Sequence, residues 1–437
     1  MQITGLTLEQ YKAFPRREEL EIRPLTVLIG KNSAGKSAIA RLPLLLARAV
    51  SGRADAPLDL EVDDVDFGSS FTDLLYNRRR HGSLALGLRG RLADTRTFSL
   101  LAKVQHFSER MLQVVTQCEI SVGDVTLDLT WKGREPREGD EPYEVVMTTT
   151  QGLRLQHVAD RPVSFVGLLP SQRDLAVLTD SVPEVPSVFT APVLKELDGL
   201  LDSIGYLGPF RVWPRRSYQV PGGNPRHVGR SGVNAPALLG ADVVRRRGDL
   251  LKSVSAWYAE HLGGWRLDVE KQGDQFALVL IKPSEPNVRV NLVDAGTGLS
   301  QVLPLVVQRQ FDMTAEGGSA LEIVEQPELH LHPAAHAPLA DLYVDAVRTG
   351  GLRFLIETHS ENFLLRLRRR IAEGTLHADQ VALYWVDDQQ GRGSTLQRIE
   401  VSQSGDVSTW PRGVFAEDVE EVKGIRLAQA RREEPRR

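Results

Sequence analysis

The sequence predicts an α/β fold with a mixed central sheet, an added antiparallel β region and a helical insertion. Three observations lead to this prediction. A glycine-rich loop joins an apolar run, 25–29, to a helix-like segment, 38–50. Two later apolar runs, 321–324 and 352–356, resemble buried strands that end in polar residues. Strand-like segments separated by turn residues follow one another from 83 to 149, which indicates an antiparallel β region.

Length and composition indicate an ordinary globular protein with a sizeable core. The chain has 437 residues, of which 41% are hydrophobic and 25% charged, and its formal net charge is −4. This balance does not require a nucleic-acid partner, although it leaves room for a local basic patch. The single cysteine, Cys118, excludes an internal disulfide and suits a reducing cytoplasm.

We expect a soluble, cytoplasmic protein that does not enter the membrane. The first residues have neither the basic region nor the apolar region of a secretory signal. The most apolar window, 39–50, is interrupted by Arg41, Pro43 and Arg48 and is shorter than the roughly 20 residues of a membrane span.

Strands are predicted at 3–10 and 20–29, ahead of the glycine-rich loop. The helix after the loop is expected to end near Ser51. Runs of alternating residues separated by turn residues predict an antiparallel meander over 83–149. The proline-rich stretch 160–205 contains two helical patches and predicts a helical insertion.

Further helices are predicted over 237–262 and 302–311. With these elements, the chain divides into an N-terminal lobe (1–160), the helical insertion (161–205) and a C-terminal lobe (206–437). No sustained heptad pattern occurs between the glycine-rich loop and the later motifs, so a long coiled-coil arm is not expected.

The glycine-rich loop has the pattern G-x-x-x-x-G-K-[ST], which holds nucleotide phosphates when a strand precedes it and a helix follows. Its glycines let backbone N–H groups approach the α- and β-phosphates. The ammonium group of Lys36 can reach the β- and γ-phosphates, and the hydroxyl of Ser37 suits Mg²⁺. The predicted nucleotide-binding residues of this phosphate loop are Gly30, Lys31, Asn32, Ser33, Ala34, Gly35, Lys36 and Ser37.

Two strand ends are predicted to meet the phosphate loop at one sheet edge. The apolar run before Glu325 brings a carboxylate to the edge, where it would join Ser37 in holding Mg²⁺. The run 352–356 brings His359 to the same edge. A contact between His359 and the γ-phosphate is therefore favoured over a purely structural role.

A third motif, 298–301, contains Gly298, Ser300 and Gln301 and precedes a predicted helix. Small residues at this point leave a helix N-terminus open to an anion. The motif matches a dinucleotide fingerprint only in part and lacks the βαβ context, so a dinucleotide site is not expected.

Together these motifs resemble the ATP-binding cassette ATPases, and within them the cytosolic bacterial group related to RecF and to the overcoming-lysogenization-defect proteins. The resemblance extends from about residue 3 to residue 418, with 83–205 the least diagnostic part. Beyond the nucleotide motifs, it rests on 206–211 (YLGPFR), 325–333 (EQPELHLHP), 357–362 (ETHSEN) and 410–415 (WPRGVF).

The resemblance implies an ATPase that uses ATP and Mg²⁺. Residues 30–37 correspond to the Walker A loop, Glu325 to the end of Walker B, 298–301 to the signature segment and His359 to the switch histidine. In such ATPases the signature segment of one subunit caps the ATP of the other, which implies a homodimer or a higher oligomer built from it. The candidate catalytic residues are Glu325, Gln326, Glu328 and His359, and the candidate metal ligands are Ser37 and Glu325.

One position departs from the cassette pattern, because Gln326 stands where a catalytic glutamate is usual. An amide cannot accept a proton, so general-base assistance worth about 10²–10⁴-fold would be lost. Two alternatives follow: Glu328 or His359 assists the attacking water, or hydrolysis is slow and ATP acts mainly as a clamp between subunits. We favour slow hydrolysis.

Two functions remain open. The resemblance favours an ATP-driven switch that controls a partner effector such as a nuclease, in defence against phage or plasmids. The alternative is a RecF-like protein in which ATP gates binding to duplex DNA. The chain itself is not expected to be a nuclease, since the stretch after His359 is too short for the Toprim domain of the overcoming-lysogenization-defect proteins.

Two sets of side chains invite other interpretations. The arginine clusters at 78–80, 245–247 and 366–370 are expected to be solvated surface rather than DNA contacts. The histidines His330, His332 and His336 are not favoured as zinc ligands, since no cysteine or further ligand set accompanies them.

Overall fold

The computed structural model describes residues 1–79, 81–133, 141–149, 154–180, 188–220, 222–223, 225, 227–245, 247–314, 321–389 and 391–408. The segment 410–415, which contributes to the family resemblance, lies outside the described residues. So do Arg80 and Arg246, one residue from each of two predicted arginine clusters.

The first part of the chain is rich in strands. Its elements are β1 (Gln2–Glu9), β2 (Glu18–Glu21), β3 (Leu25–Gly30), α1 (Lys36–Val50), β4 (Glu61–Val62), β5 (Val65–Asp66), β6 (Ser83–Arg91), β7 (Thr97–Phe107), β8 (Leu112–Val122), β9 (Val125–Trp131), β10 (Glu141–Thr149) and β11 (Arg154–Val163).

The middle of the chain alternates short strands with helices. Its elements are β12 (Phe165–Val166), β13 (Leu169–Pro170), α2 (Gln172–Asp180), α3 (Ala191–Asp198), β14 (Ile204–Leu207), β15 (Tyr218–Gln219), α4 (Ala235–Arg245), α5 (Asp249–His261), β16 (Arg266–Gln272), β17 (Gln275–Lys282) and β18 (Glu285–Asn291).

The last part contains most of the site. Its elements are α6 (Thr297–Gln301), α7 (Leu303–Thr314), β19 (Leu321–Glu325), α8 (Pro333–Gly350), β20 (Phe354–Glu357), α9 (Glu361–Ala372), β21 (Val381–Gln389) and β22 (Gly393–Ile399).

A central sheet positions the site. Within the described residues it has six strands in the order β14-β19-β20-β3-β21-β22, and all neighbours pair in parallel except β21 and β22. Strand β20 lies between β19 and β3, so the carboxyl ends of all three strands share one edge. The phosphate loop, Glu325 and His359 follow these strand ends, as predicted. The predicted α/β fold with a mixed central sheet is confirmed.

A second sheet contains the predicted meander. Its order is β11-β10-β9-β8-β7-β6-β1-β2, with antiparallel pairing throughout. The prediction of a single strand over 20–29 is wrong. Pro24 has a fixed φ and restricts the conformation of the residue before it. Strand β2 ends before Pro24 and β3 begins after it, and the two strands belong to different sheets. Only β3 leads into the phosphate loop.

Helix α1 lies between the two sheets. On one face of the central sheet, Ile323 and Leu355 belong to the same buried cluster as Ile39 and Leu42 of α1. The other face packs against a second cluster built largely from α7, α8 and α9. Side chains alternate along a strand, so residues two positions after Ile323 and Leu355 also point to the side of α1.

The helical prediction over 160–205 is partly wrong. The strand β11 continues to Val163, because it pairs with β10 along the sheet edge, and a short hairpin of β12 and β13 follows. Helices α2 and α3 match the two helical patches. The division of the chain into three regions remains a prediction.

The helix predicted over 237–262 is two helices. Gly248, with a φ of 72°, caps α5 and separates it from α4, since a left-handed residue cannot continue a right-handed helix. The helix predicted over 302–311 is α7, and the short α6 precedes it directly. In the part of the chain that the structure describes, no helix has both the length and the apolar character needed to cross a membrane.

Candidate nucleotide site

The backbone of the phosphate loop turns sharply at two glycines with positive φ angles. Gly30 has a φ of 153°, and a Cβ at this position would lie 2.4 Å from the carbonyl oxygen of Val386, so a side chain is excluded. Gly35, at a φ of 97°, caps α1. Lys36 folds back into the loop, where its Nζ donates to the carbonyl oxygens of Gly30 (3.0 Å) and Lys31 (2.7 Å).

The ammonium group of Lys36 is buried, with 3% of the residue exposed. Its Nζ lies 4.0 Å from Oε1 of Glu357. Burial lowers the pKa of Lys36, and the carboxylates of Glu357 and Glu328 oppose that shift. A cation held in a loop with this pattern is suited to bind a phosphate anion.

The carboxylate of Glu325 forms an ion pair with the guanidinium group of Arg41. Nε and Nη2 of Arg41, on α1, donate to its two oxygens at 2.6 and 2.8 Å, and the hydroxyl of Tyr206 donates to Oε1 at 3.1 Å. Only 1% of Glu325 is exposed. Hydrogen bonding to Glu325 raises the pKa of Arg41. Bidentate arginine–carboxylate pairs of this kind are among the strong charge-assisted hydrogen bonds.

A second acid, Glu357, lies at the same edge and was not among the predicted site residues. Glu357 is the register partner of Glu325 on the neighbouring strand, and 3% of it is exposed. Burial raises its pKa, and hydrogen bonding to the Ser37 side chain opposes that shift. Its Oε2 has no hydrogen-bond partner among the described residues. Its position two residues before His359, on the side of α1, was the available signal in the sequence.

The turn after β19 holds Gln326 in a left-handed backbone conformation, with a φ of 45°. The N–H of Gln326 donates to the carbonyl oxygen of Glu357 at 2.7 Å. Nη2 of the buried Arg211 donates to the carbonyl oxygens of Glu325 (3.2 Å) and Gln326 (3.0 Å). Such conformations are uncommon for residues other than glycine and persist where the surroundings hold them.

The side chain of Glu328 is hydrogen-bonded to the backbone of His359. Oε1 of Glu328 accepts the backbone N–H of His359 at 2.6 Å, and 8% of Glu328 is exposed. Burial raises the pKa of Glu328. Burial and the nearby Lys36 lower the pKa of His359 to about 4, so its imidazole is neutral at pH 7. Glu328 thus fixes the position of His359 at the strand end.

The predicted signature segment, 298–301, lies within the short helix α6. The hydroxyl of Ser300 donates to the carbonyl oxygen of Thr297 at 2.9 Å. Ser300 and Gln301 are 6% and 3% exposed, so their side chains face the interior. A Cβ on Gly298 would lie 2.8 Å from the carbonyl oxygen of His330, which shows that the segment packs directly on the turn after β19.

Two of the three histidines of this region, His332 and His336, have structural partners. Nδ1 of His332 accepts the backbone N–H of Ala334 at 3.2 Å and caps α8. His336 lies 2.7 Å from the Ser360 hydroxyl through its Nδ1. Among the residues that the structure describes, no group of three or more His, Cys, Asp or Glu side chains is placed to hold a metal ion.

Comparison with known proteins gives no family assignment. No protein-family model matches the sequence, and no curated protein matches it. The SMC head domain from Thermotoga maritima matches 92% of this chain and 100% of its own, at 12% identity and a TM-score of 0.42.

Two further solved structures give similar values. An SMC head bound to the C-terminal winged-helix domain of ScpA matches 92% of this chain and 99% of its own, at 11% identity and a TM-score of 0.47. An SMC head domain with an extended coiled coil, bound to the C-terminal domain of ScpA derived from Pyrococcus furiosus, matches 97% and 99%, at 11% and 0.40. Scores of this size do not identify a family, so the fold assignment rests on the strand order and the phosphate loop.

Proposed function

We propose that this chain binds Mg·ATP in the phosphate loop and belongs to the cassette type of ATPase. The observation that carries the proposal is Lys36, whose ammonium group lies inside a glycine-bounded loop at the edge of a parallel sheet. The loop, Ser37 and a carboxylate at an adjoining strand end are the kinds of group that bind Mg·ATP. When bound, Mg²⁺ would neutralise charge on the phosphate oxygens.

The residues present fit this cofactor. Oε2 of Glu357 is buried beside Lys36 and lacks a hydrogen-bond partner within the described residues. A buried polar atom without a partner calls for a water or ion that would satisfy it. Mg²⁺ commonly takes one or two protein carboxylates together with phosphate and water oxygens. The site therefore does not need three clustered acidic or histidine ligands.

ATP hydrolysis is proposed to be slow. The carboxamide of Gln326 follows Glu325 at the sheet edge and cannot accept a proton. Glu328, which could replace it, is largely enclosed and holds the backbone of His359. The neutral imidazole of His359 can hydrogen-bond to a phosphate oxygen or to a water. ATP would then serve mainly as a ligand that stabilises one conformation.

ATP is proposed to join two copies of the chain, with the signature segment of one copy covering the nucleotide of the other. The buried side chains of Ser300 and Gln301 imply that this contact uses backbone groups near Gly296, which is exposed. The joined state would control a partner effector, such as a nuclease, in defence against phage or plasmids.

A RecF-like role on DNA gains no support from the largest arginine cluster. Arg366 and Arg370 both pair with Asp341, at 2.6 and 2.7 Å, and Arg369 pairs with Glu373 at 2.7 Å. Arginines engaged in internal pairs contribute less to phosphate binding than free ones.

The size of the protein in solution, with and without Mg·ATP, tests this proposal. We expect a monomer without nucleotide and a dimer with it. A Gly296→Glu variant should bind Mg·ATP as a monomer but not dimerise, because the added carboxylate would repel the partner's triphosphate. No described residue lies within 4 Å of a Cβ at Gly296, so the substitution fits the described part of the fold.

The matched control is Gly223→Glu, since Gly223 is also exposed and open to a side chain. This control should dimerise normally. Equal size with and without Mg·ATP in the unmodified protein would contradict the dimer. Duplex DNA binding that appears only with ATP and weakens with salt would favour the RecF-like alternative over an effector switch.

A further inference from the structure

The two strands that end at the proposed metal position, β19 and β20, each carry a buried glutamate, whereas the motifs of the site require one. Glu325 and Glu357 end neighbouring parallel strands and are register partners. Both point to the side of α1, where Lys36 and Ser37 begin the helix. The two carboxylates differ in what surrounds them, and this difference indicates which one is available to a cation.

Glu325 has its charge compensated within the chain. Arg41 binds both of its oxygens and Tyr206 binds one of them. The Glu325 side chain is 2% exposed, whereas that of Arg41 is 31% exposed. For Glu325 to coordinate a metal, this pair would have to break inside the protein, which leaves a guanidinium without its partner and is costly.

Among the described residues, no guanidinium binds the carboxylate of Glu357. The ammonium group of Lys36 lies 4.0 Å from its Oε1, and this ammonium donates its hydrogen bonds to the loop carbonyls. Oε2 is enclosed and accepts no hydrogen bond from the described residues. The carboxylate also lies beside Ser37, whose hydroxyl is the predicted metal ligand of the phosphate loop.

We propose that Glu357, together with Ser37, supplies the protein ligands of Mg²⁺ in the nucleotide complex, and that Arg41 and Tyr206 keep Glu325 out of the metal site. This inference rests on the proposed function. It gives Glu325 a different task, since its pair with Arg41 joins α1 to β19 and so fixes the helix that carries Lys36 and Ser37.

The contribution of Mg²⁺ to ATP affinity distinguishes the two acids. Binding of a fluorescent ATP analogue is measured with Mg²⁺ and with EDTA, and bound Mn²⁺ is counted by electron paramagnetic resonance as an independent readout. Glu357→Gln should reduce the enhancement of affinity by Mg²⁺ at least about 10-fold, the lower bound for losing a group that supports a metal. Affinity in EDTA should be retained, because the change removes negative charge beside Lys36.

Two further variants complete the test. Glu357→Asp keeps a carboxylate and should recover part of the metal dependence. Glu325→Gln should keep the Mg²⁺ enhancement within about 3-fold of the unmodified protein, provided that its thermal unfolding confirms a folded sample; if it is unfolded, the comparison of Glu357→Gln with Glu357→Asp decides the test.

The outcomes separate this inference from the proposed function. Loss of the Mg²⁺ enhancement in Glu325→Gln, whether or not Glu357→Gln loses it, would overturn the inference while leaving nucleotide binding intact. An unchanged enhancement in Glu357→Gln would also overturn it. Absence of ATP binding in the unmodified protein would overturn both.

Discussion

At the scale of single residues, the two acids at the strand ends of the site differ in whether an ion pair compensates their charge. Arg41 compensates Glu325 through two hydrogen bonds, whereas Glu357 has one oxygen without a partner among the described residues. Lys36 is directed to loop carbonyls rather than to either acid. Of the two acids that end β19 and β20, Glu325 is therefore the one whose charge a guanidinium compensates within the described residues.

The first prediction concerns Gln326. If the amide limits hydrolysis, Gln326→Glu should raise the turnover of ATP by about 10²–10⁴-fold, because a carboxylate can accept a proton from the attacking water. The turnover is measured as phosphate release with excess Mg·ATP. Gln326→Asn, which keeps an amide, serves as the control and should stay slow. An unchanged rate in Gln326→Glu would show that this amide is not the limiting group.

The second prediction concerns His359 and pH. Burial and Lys36 lower its pKa from 6.5 to about 4, so between these values the unfolded chain binds a proton that the folded chain does not. The contribution of His359 to the free energy of unfolding is therefore fully present above pH 6.5 and decreases as the pH falls towards 4. Urea unfolding at pH 7.5 and 5.0 should show a larger loss for the unmodified protein than for His359→Asn. Equal losses would refute the depressed pKa.

At the scale of elements, a buried arginine joins α7 to β19. Arg309 of α7, 1% exposed, pairs with Asp312 at 2.7 Å and with Glu322 of β19. Its guanidinium also lies over the ring of Phe354, 4.7 Å from the centroid. These contacts of Arg309 add an ion pair to the apolar packing of α7 against the central sheet.

The third prediction follows from that pair. Arg309→Met should lower the free energy of unfolding by about 3–5 kcal/mol, since it leaves two buried carboxylates without their cation. Adding Glu322→Gln and Asp312→Asn removes those charges and should recover a large part of the loss. Urea unfolding monitors all variants. A loss below about 1 kcal/mol in Arg309→Met would show that the ion pair does not hold α7 in place.

Local patterns predicted some elements and not others. The phosphate loop, the helix beginning at its lysine and the antiparallel meander have periodicities and turn residues that lie within short windows of sequence. The separation of β2 from β3 was missed because the apolar pattern continues through Ile22, while Pro24 sends the two strands to different sheets. The two helices around Gly248 were merged for a similar reason, since the pattern does not reveal a left-handed backbone.

At the scale of the whole molecule, the site depends on contacts between segments far apart in the chain. Arg41 and Glu325 are separated by 284 positions, and the role proposed for Glu357 depends on the register of β19, β20 and β3. The sequence pointed to Glu325 and His359 at these strand ends and missed Glu357. It could not identify which acid has a partner, because that depends on how α1 lies on the sheet.

The central claim is that the phosphate loop binds Mg·ATP through Lys36. Isothermal titration of Mg·ATP into the unmodified protein and into Lys36→Ala tests it most directly, with circular dichroism to confirm that both are folded. We predict saturable binding with one nucleotide per chain in the unmodified protein and no measurable binding in Lys36→Ala, because the ammonium group that faces the phosphates is gone. Equal affinity of the two proteins for Mg·ATP would contradict the claim.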